Sequence, residues 1–102
     1  MTANKEFLSL LDTLKETHLK KSAGYSGMDN PDTFANFRLS EQLGVSAFLG
    51  CMIRLSDKFT RVVNLIKNSK NEQVGERLED TLLDLASYAL IAICLLKEKN
   101  EK

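Results

Sequence analysis

Arg54, Asp57, Lys58 and Arg61 stand at i, i+3, i+4 and i+7, the spacing that puts four side chains on one stripe of a helix. Three cations around one carboxylate leave net positive charge. Such a cluster suits phosphate, because arginine offers a planar fork of donors and lysine adds a point charge. The stripe interrupts a stretch that is otherwise apolar.

A second stripe follows. Glu76, Asp80 and Asp84 repeat every four residues, with Glu79 beside them and Ser87 and Tyr88 continuing the line. Asp84 has Leu82, Leu83, Leu85 and Ala86 as neighbours, so part of its surface is expected to be buried. A buried carboxylate needs a cation, a hydrogen-bond donor or a metal. Arg54, Lys58 and Arg61 are the cations within reach if the two helices face each other. Two readings stay open. The ladder of charges is structural, or it is a ligand site in which Glu76, Asp80 and Asp84 hold Mg²⁺ and the basic residues hold phosphate.

Further candidates lie upstream. Lys21 and Tyr25 precede an irregular stretch that contains Asp32, Asn36, Phe37 and Arg38. Asn36 can donate to and accept from a base edge, Arg38 adds a cation, and Tyr25 and Phe37 can stack on a ring. Phe34 is read as core and Phe37 is left open between core and ligand. His18, the one histidine, has no nucleophilic or acidic neighbour in a catalytic pattern and is placed on the surface. No serine sits in a nucleophile elbow, and no glycine loop matches a phosphate-binding or dinucleotide fingerprint.

The elements that must position these residues are helical. Apolar residues spaced by three and four over residues 4–21 predict a first amphipathic helix, ended by the glycines at 24 and 27. Residues 33–41 are expected to form a short helix after the Asp29-Asn30-Pro31-Asp32 turn, with Gly44 as its stop. A second long helix is expected over residues 46–68, with Ser46 as N-cap, and a third over 74–98. The third is apolar on nearly every side from 82 to 96, which calls for cover on all faces. The fold class is therefore all-α: a bundle of three long helices plus one short helix in a single helical domain over residues 1–102, completed by oligomerisation.

Bulk properties narrow the field. With 14 basic and 14 acidic residues the net charge is zero, against the basic excess of duplex nucleic-acid binders. The run 82–96 carries Asp84 and is shorter than the roughly 20 apolar residues a bilayer requires. No signal peptide opens the chain. Cys51 and Cys94 have no partner spacing and are expected to be buried, reduced thiols. The expectation is a cytoplasmic protein that binds neither duplex nucleic acid nor membrane.

Taken in order, Lys21-x3-Tyr25, Asp32-x3-Asn36-Phe37-Arg38, Leu43-Gly44-Val45-Ser46, Ile53-Arg54-Leu55-Ser56-Asp57-Lys58-x2-Arg61 and Glu76-x3-Asp80-Thr81-Leu82-Leu83-Asp84-Leu85-Ala86-x-Tyr88 resemble the nucleotide modification associated domain 1 family, over about residues 20–96. That family occurs in bacteriophages and bacteria and is distantly similar to MazG-like all-α nucleoside triphosphate pyrophosphohydrolases. The resemblance implies an oligomeric, nucleotide-handling protein in the cytoplasm of a bacterial cell. The MazG-like enzymes carry Glu-Glu-x-x-Glu on one helix and Glu-x-x-Asp on the next. Here the helix over 46–68 has Asp57 as its one carboxylate, and Glu76 and Asp80 are spaced by four.

Three functions follow. The first is a protein that holds a nucleotide, or a cyclic or ADP-ribose-type signal, without hydrolysing it, through Lys21, Tyr25, Asn36, Phe37, Arg38, Arg54, Asp57, Lys58 and Arg61. Opposition to host defence and support of nucleotide modification are the roles such a protein would serve. The second is a Mg²⁺-dependent pyrophosphohydrolase with Glu76, Asp80 and Asp84 as metal ligands. The third is a structural helical oligomer. The full basic side and sparse acidic side favour the first.

Overall fold

A computed structural model describes residues 2–26, 33–68 and 74–101, with the side chains of 22–26, 74 and 99–101 left aside. The described residues form four helices and no strand: α1 (Lys5–Ser26), a 3₁₀ helix η1 (Ala35–Leu43), α2 (Ala47–Lys67) and α3 (Val74–Glu101). The chain divides into two compact units, Met1–Asn36 and Phe37–Lys102.

The first unit is built on α1. Asn4 caps it, its Oδ1 accepting from the Phe7 amide at 2.9 Å, and Glu6 in the first turn complements the helix dipole. The helix runs five residues past the expected end at Lys21. Gly24 costs about 1 kcal/mol of helix preference, but a glycine keeps its N–H and does not by itself stop the hydrogen-bond ladder. Phe34 is half-buried rather than core, with its ring 6.4 Å from that of the exposed His18.

The second unit is an antiparallel helix pair with η1 packed on it. The expected short helix at 33–41 is instead a 3₁₀ segment ending two residues later. It closes as a Schellman motif: the Gly44 amide donates to the Glu41 carbonyl at 3.1 Å and the Val45 amide to the Ser40 carbonyl at 3.0 Å. Gly44 takes φ +82°, which only glycine adopts at little cost. Ser46 then caps α2 as expected, accepting from the Leu49 amide at 3.1 Å.

Contacts between α2 and α3 run in opposite directions. Cys51 meets Tyr88, Lys58 meets Asp84, and Arg61 meets Thr81. The core of the seam is apolar at one end, with Ala47, Cys51, Ile91, Ala92 and Leu95 buried. Val62 is buried at the other end, and the polar pairs lie between. Cys51 is a buried thiol donating to the Tyr88 carbonyl at 3.3 Å, whereas Cys94, expected to be buried, is exposed. Position 94 falls between Ile91 and Leu95 on the inward face, and the helical turn carries it outward.

Within one chain α3 is not covered on every side. Leu82, Leu90, Ile93 and Leu96 are exposed, as are Leu49, Met52, Phe59 and Ile66 on α2. No helix among the described residues is long and apolar enough to cross a membrane.

Candidate functional site

Three of the four residues of the basic stripe point to the seam, and each meets a different kind of partner. Lys58 Nζ lies 3.2 Å from Asp84 Oδ2, with both side chains 32% exposed. The pair is neither desolvated nor fully hydrated. Arg61 Nε donates to Thr81 Oγ1 at 3.3 Å, and that hydroxyl in turn donates to the Arg77 carbonyl at 2.7 Å. Thr81 is thereby satisfied although it is the one polar side chain buried among the described residues. The Arg54 guanidinium lies over the Phe37 ring, 4.7 Å from its centroid, a cation–π geometry. Asp57, one position off the stripe that meets α3, is exposed.

The open question on Phe37 is thus decided. It is 2% exposed, a core side chain of the second unit, and its ring meets Tyr88 edge-on at 6.0 Å. It is too buried to stack on a ligand, and its ring seats the Arg54 guanidinium. Arg38, next in the chain, reaches the far end of α3, where its Nη2 donates to Glu98 Oε2 at 2.8 Å and Nη1 lies 3.9 Å from Glu41 Oε1. Beside this pair is a cavity of about 540 Å³ walled by Val45, Phe48 and Leu95.

The acidic stripe does not act as a unit. Asp84 joins the seam, while Glu76 and Asp80 are exposed on the preceding turns. Among the described residues no group of three or more His, Cys, Asp or Glu side chains could hold a metal ion. The carboxylates of α3 therefore do not converge as the metal-site reading requires. Lys21 is an exposed side chain of the first unit, and Asn36, also exposed, is its last residue. Tyr25 falls on the last turn of α1, and its side chain, like Asp32, lies outside the described residues.

No protein-family model, curated protein or solved structure matches the chain. The family resemblance rests on the ordered motifs alone.

Two residues of the site were not read as site residues in the sequence. Thr81 shares the spacing of Tyr88, Ile91 and Leu95 on the inward face of α3, and that register was the available signal. Glu98 sits in a charged terminal stretch that reads as a solvated tail, and no local pattern marks it as the partner of a residue sixty positions away. Among the described residues a clear shift of acidity belongs to Cys51, whose thiol is pushed above its ordinary range by burial, an effect partly offset by the Arg54 charge.

Proposed function

We propose that the chain binds a nucleotide, or a nucleotide-derived signal, through Arg54, Lys58 and Arg61 and holds it without cleaving it. The observation that carries this reading is the partly exposed Lys58–Asp84 pair, set with the Arg61–Thr81 hydrogen bond between apolar stretches of the seam. A partly exposed ion pair contributes about 0–1 kcal/mol. Apolar residues of similar size in its place often leave a helix pair as stable or more so. Charge kept in such a place at little gain is characteristic of functional positions. The neighbouring Arg54, seated over the Phe37 ring, and Arg61, hydrogen-bonded to Thr81, add donors on the same line. Asp57 is the one carboxylate of α2, and the acids of α3 do not converge; both features favour holding over metal-assisted hydrolysis.

The ligand-holding form is a homo-oligomer. Leu49, Met52, Phe59 and Ile66 recur at intervals of three, seven and seven on α2, and Leu82, Ile93 and Leu96 at eleven and three on α3, each set along one stripe of its helix. Such stripes are the seams of helix bundles. Their exposure over two neighbouring helices exceeds the scattered apolar residues of a monomer surface.

The test is incubation of the purified protein with nucleoside triphosphates, deoxynucleotides and cyclic dinucleotides, with and without Mg²⁺, followed by denaturation and analysis of what is released. Recovery of a bound nucleotide unchanged supports the reading. Metal-dependent release of pyrophosphate overturns the holding role in favour of a pyrophosphohydrolase. Retention of no nucleotide at all overturns binding and leaves a structural oligomer.

A further inference from the structure

The cavity beside Arg38 belongs to none of the roles described so far. Its volume of about 540 Å³ falls within the roughly 300–1,000 Å³ typical of small-molecule sites. Val45, Phe48 and Leu95 supply apolar walls, and Arg38, Glu41 and Glu98 supply charge. We propose that this cavity receives the base end of the nucleotide whose phosphates lie at Arg54 and Lys58; the inference rests on the nucleotide-holding reading.

Continuity along the seam is the first support. Phe37 and Arg38 are consecutive, yet one lies beneath Arg54 and the other reaches the cavity. On α2 the cavity residue Ala47 precedes Arg54 by two turns, about 10.5 Å of rise. On the antiparallel α3, Leu95 follows Tyr88 by the same interval. Cavity and cationic stretch are therefore successive along α2 and α3, with the buried Cys51, Ile91 and Ala92 in the interval, so a ligand reaching both lies over the outside of this packed stretch. Their separation suits a ligand with an aromatic ring at one end and phosphates at the other.

The chemistry of the walls is the second support. A simple anion entering the cavity would meet two carboxylates, Glu41 and Glu98, for one guanidinium. An aliphatic chain would take water from that charged edge and give its remaining donors and acceptors beyond the Arg38–Glu98 bond nothing in return, which costs free energy. A heterocyclic base has apolar faces for Val45, Phe48 and Leu95. It also has an edge of mixed donors and acceptors, which matches a guanidinium beside carboxylate oxygens.

Binding to the full chain is measured by calorimetry with two kinds of probe: inorganic tripolyphosphate, and the ATP, GTP, CTP and UTP series. Val45→Trp fills the cavity. Glu98→Gln changes the edge at a half-buried position and keeps an acceptor for Arg38. The expected result is that Val45→Trp weakens the nucleoside triphosphates at least tenfold and leaves tripolyphosphate unchanged. Glu98→Gln is expected to reorder the four bases and likewise to leave tripolyphosphate unchanged. If circular dichroism shows Val45→Trp to be unfolded, Glu98→Gln decides alone. The proposal is overturned if both folded variants bind every nucleotide as the parent does while Arg54→Ala weakens nucleotides and tripolyphosphate together; the nucleotide-holding reading then stands without this subsite. If the parent binds neither probe, that reading falls and the subsite falls with it.

Discussion

Lys58 Nζ and Asp84 Oδ2 lie 3.2 Å apart on the facing sides of α2 and α3, one turn from the point where Arg61 meets Thr81. The acid tethers the lysine and competes with any anion for it. Asp84→Asn should therefore change stability by less than about 1 kcal/mol, since both groups are one-third exposed, and should tighten tripolyphosphate binding severalfold. Chemical denaturation and calorimetry on the same samples check both parts. A loss of several kcal/mol with no gain in anion affinity would show that the pair is a structural staple.

Gly50 offers a test of how η1 is held on α2. A Cβ at position 50 would come within 2.5 Å of Ser40 Oγ and 2.9 Å of Ser40 Cβ. The Ser40 hydroxyl is in hydrogen-bond range of the Phe37 and Ser46 carbonyls, so it cannot swing away without loss. Alanine gains about 1 kcal/mol of helix preference over glycine, but overpacking typically costs about 1–3 kcal/mol. The expected outcome for Gly50→Ala is net destabilisation of about 1 kcal/mol, read from the denaturation midpoint. Adding Ser40→Gly removes the clash and should recover part of it.

Much of this architecture was legible in advance. Ser46 before an apolar run and Gly44 after a short helix gave the ends of two elements, because caps and positive-φ turns demand particular residues. That Asp84 would face one of Arg54, Lys58 and Arg61 followed from four-residue spacing and from a carboxylate set among leucines; that the partner is Lys58 did not. The 3₁₀ form of η1 was not legible, since it depends on how the segment packs on α2. Nor was the burial of Phe37 beneath Arg54, because a lone phenylalanine carries no mark of its tertiary partner. The alternative in which Glu76, Asp80 and Asp84 hold a metal is disfavoured by the slow rotation and the rise of an i+4 series around a helix of 3.6 residues per turn, which carry the outer acids away from Asp84.

The two cysteines should separate cleanly. Cys94, exposed on α3, should react with a thiol reagent in the folded protein, while Cys51 should react only on unfolding. Because burial raises the Cys51 pKa in the folded state, the unfolded chain loses this proton first as pH rises. Its contribution to stability is thus fully present below the unfolded thiol value, about 8.5, and is lost as pH climbs from there toward the folded value. Denaturation curves at pH 7 to 10 should fall more steeply for the parent than for Cys51→Ala. Equal slopes would contradict the buried thiol.

Self-association is expected through the outer faces of α2 and α3. Phe59→Glu and Ile93→Lys each place a charge on an exposed apolar stripe and should shift the assembly toward monomer in sedimentation velocity while far-ultraviolet circular dichroism stays unchanged. A parent protein that is already monomeric at high micromolar concentration would rule out the oligomeric reading.

The central claim is that Arg54, Lys58 and Arg61 form an anion site, and the most direct measurement is equilibrium binding of nucleoside triphosphate to the parent and to Arg54→Ala. Loss of a charge-assisted hydrogen bond to phosphate costs about 1.5–3 kcal/mol, so the account predicts roughly a ten- to hundredfold weaker affinity in a variant whose helix content is unchanged. Equal affinity in the two folded proteins, or no binding by the parent, would contradict it.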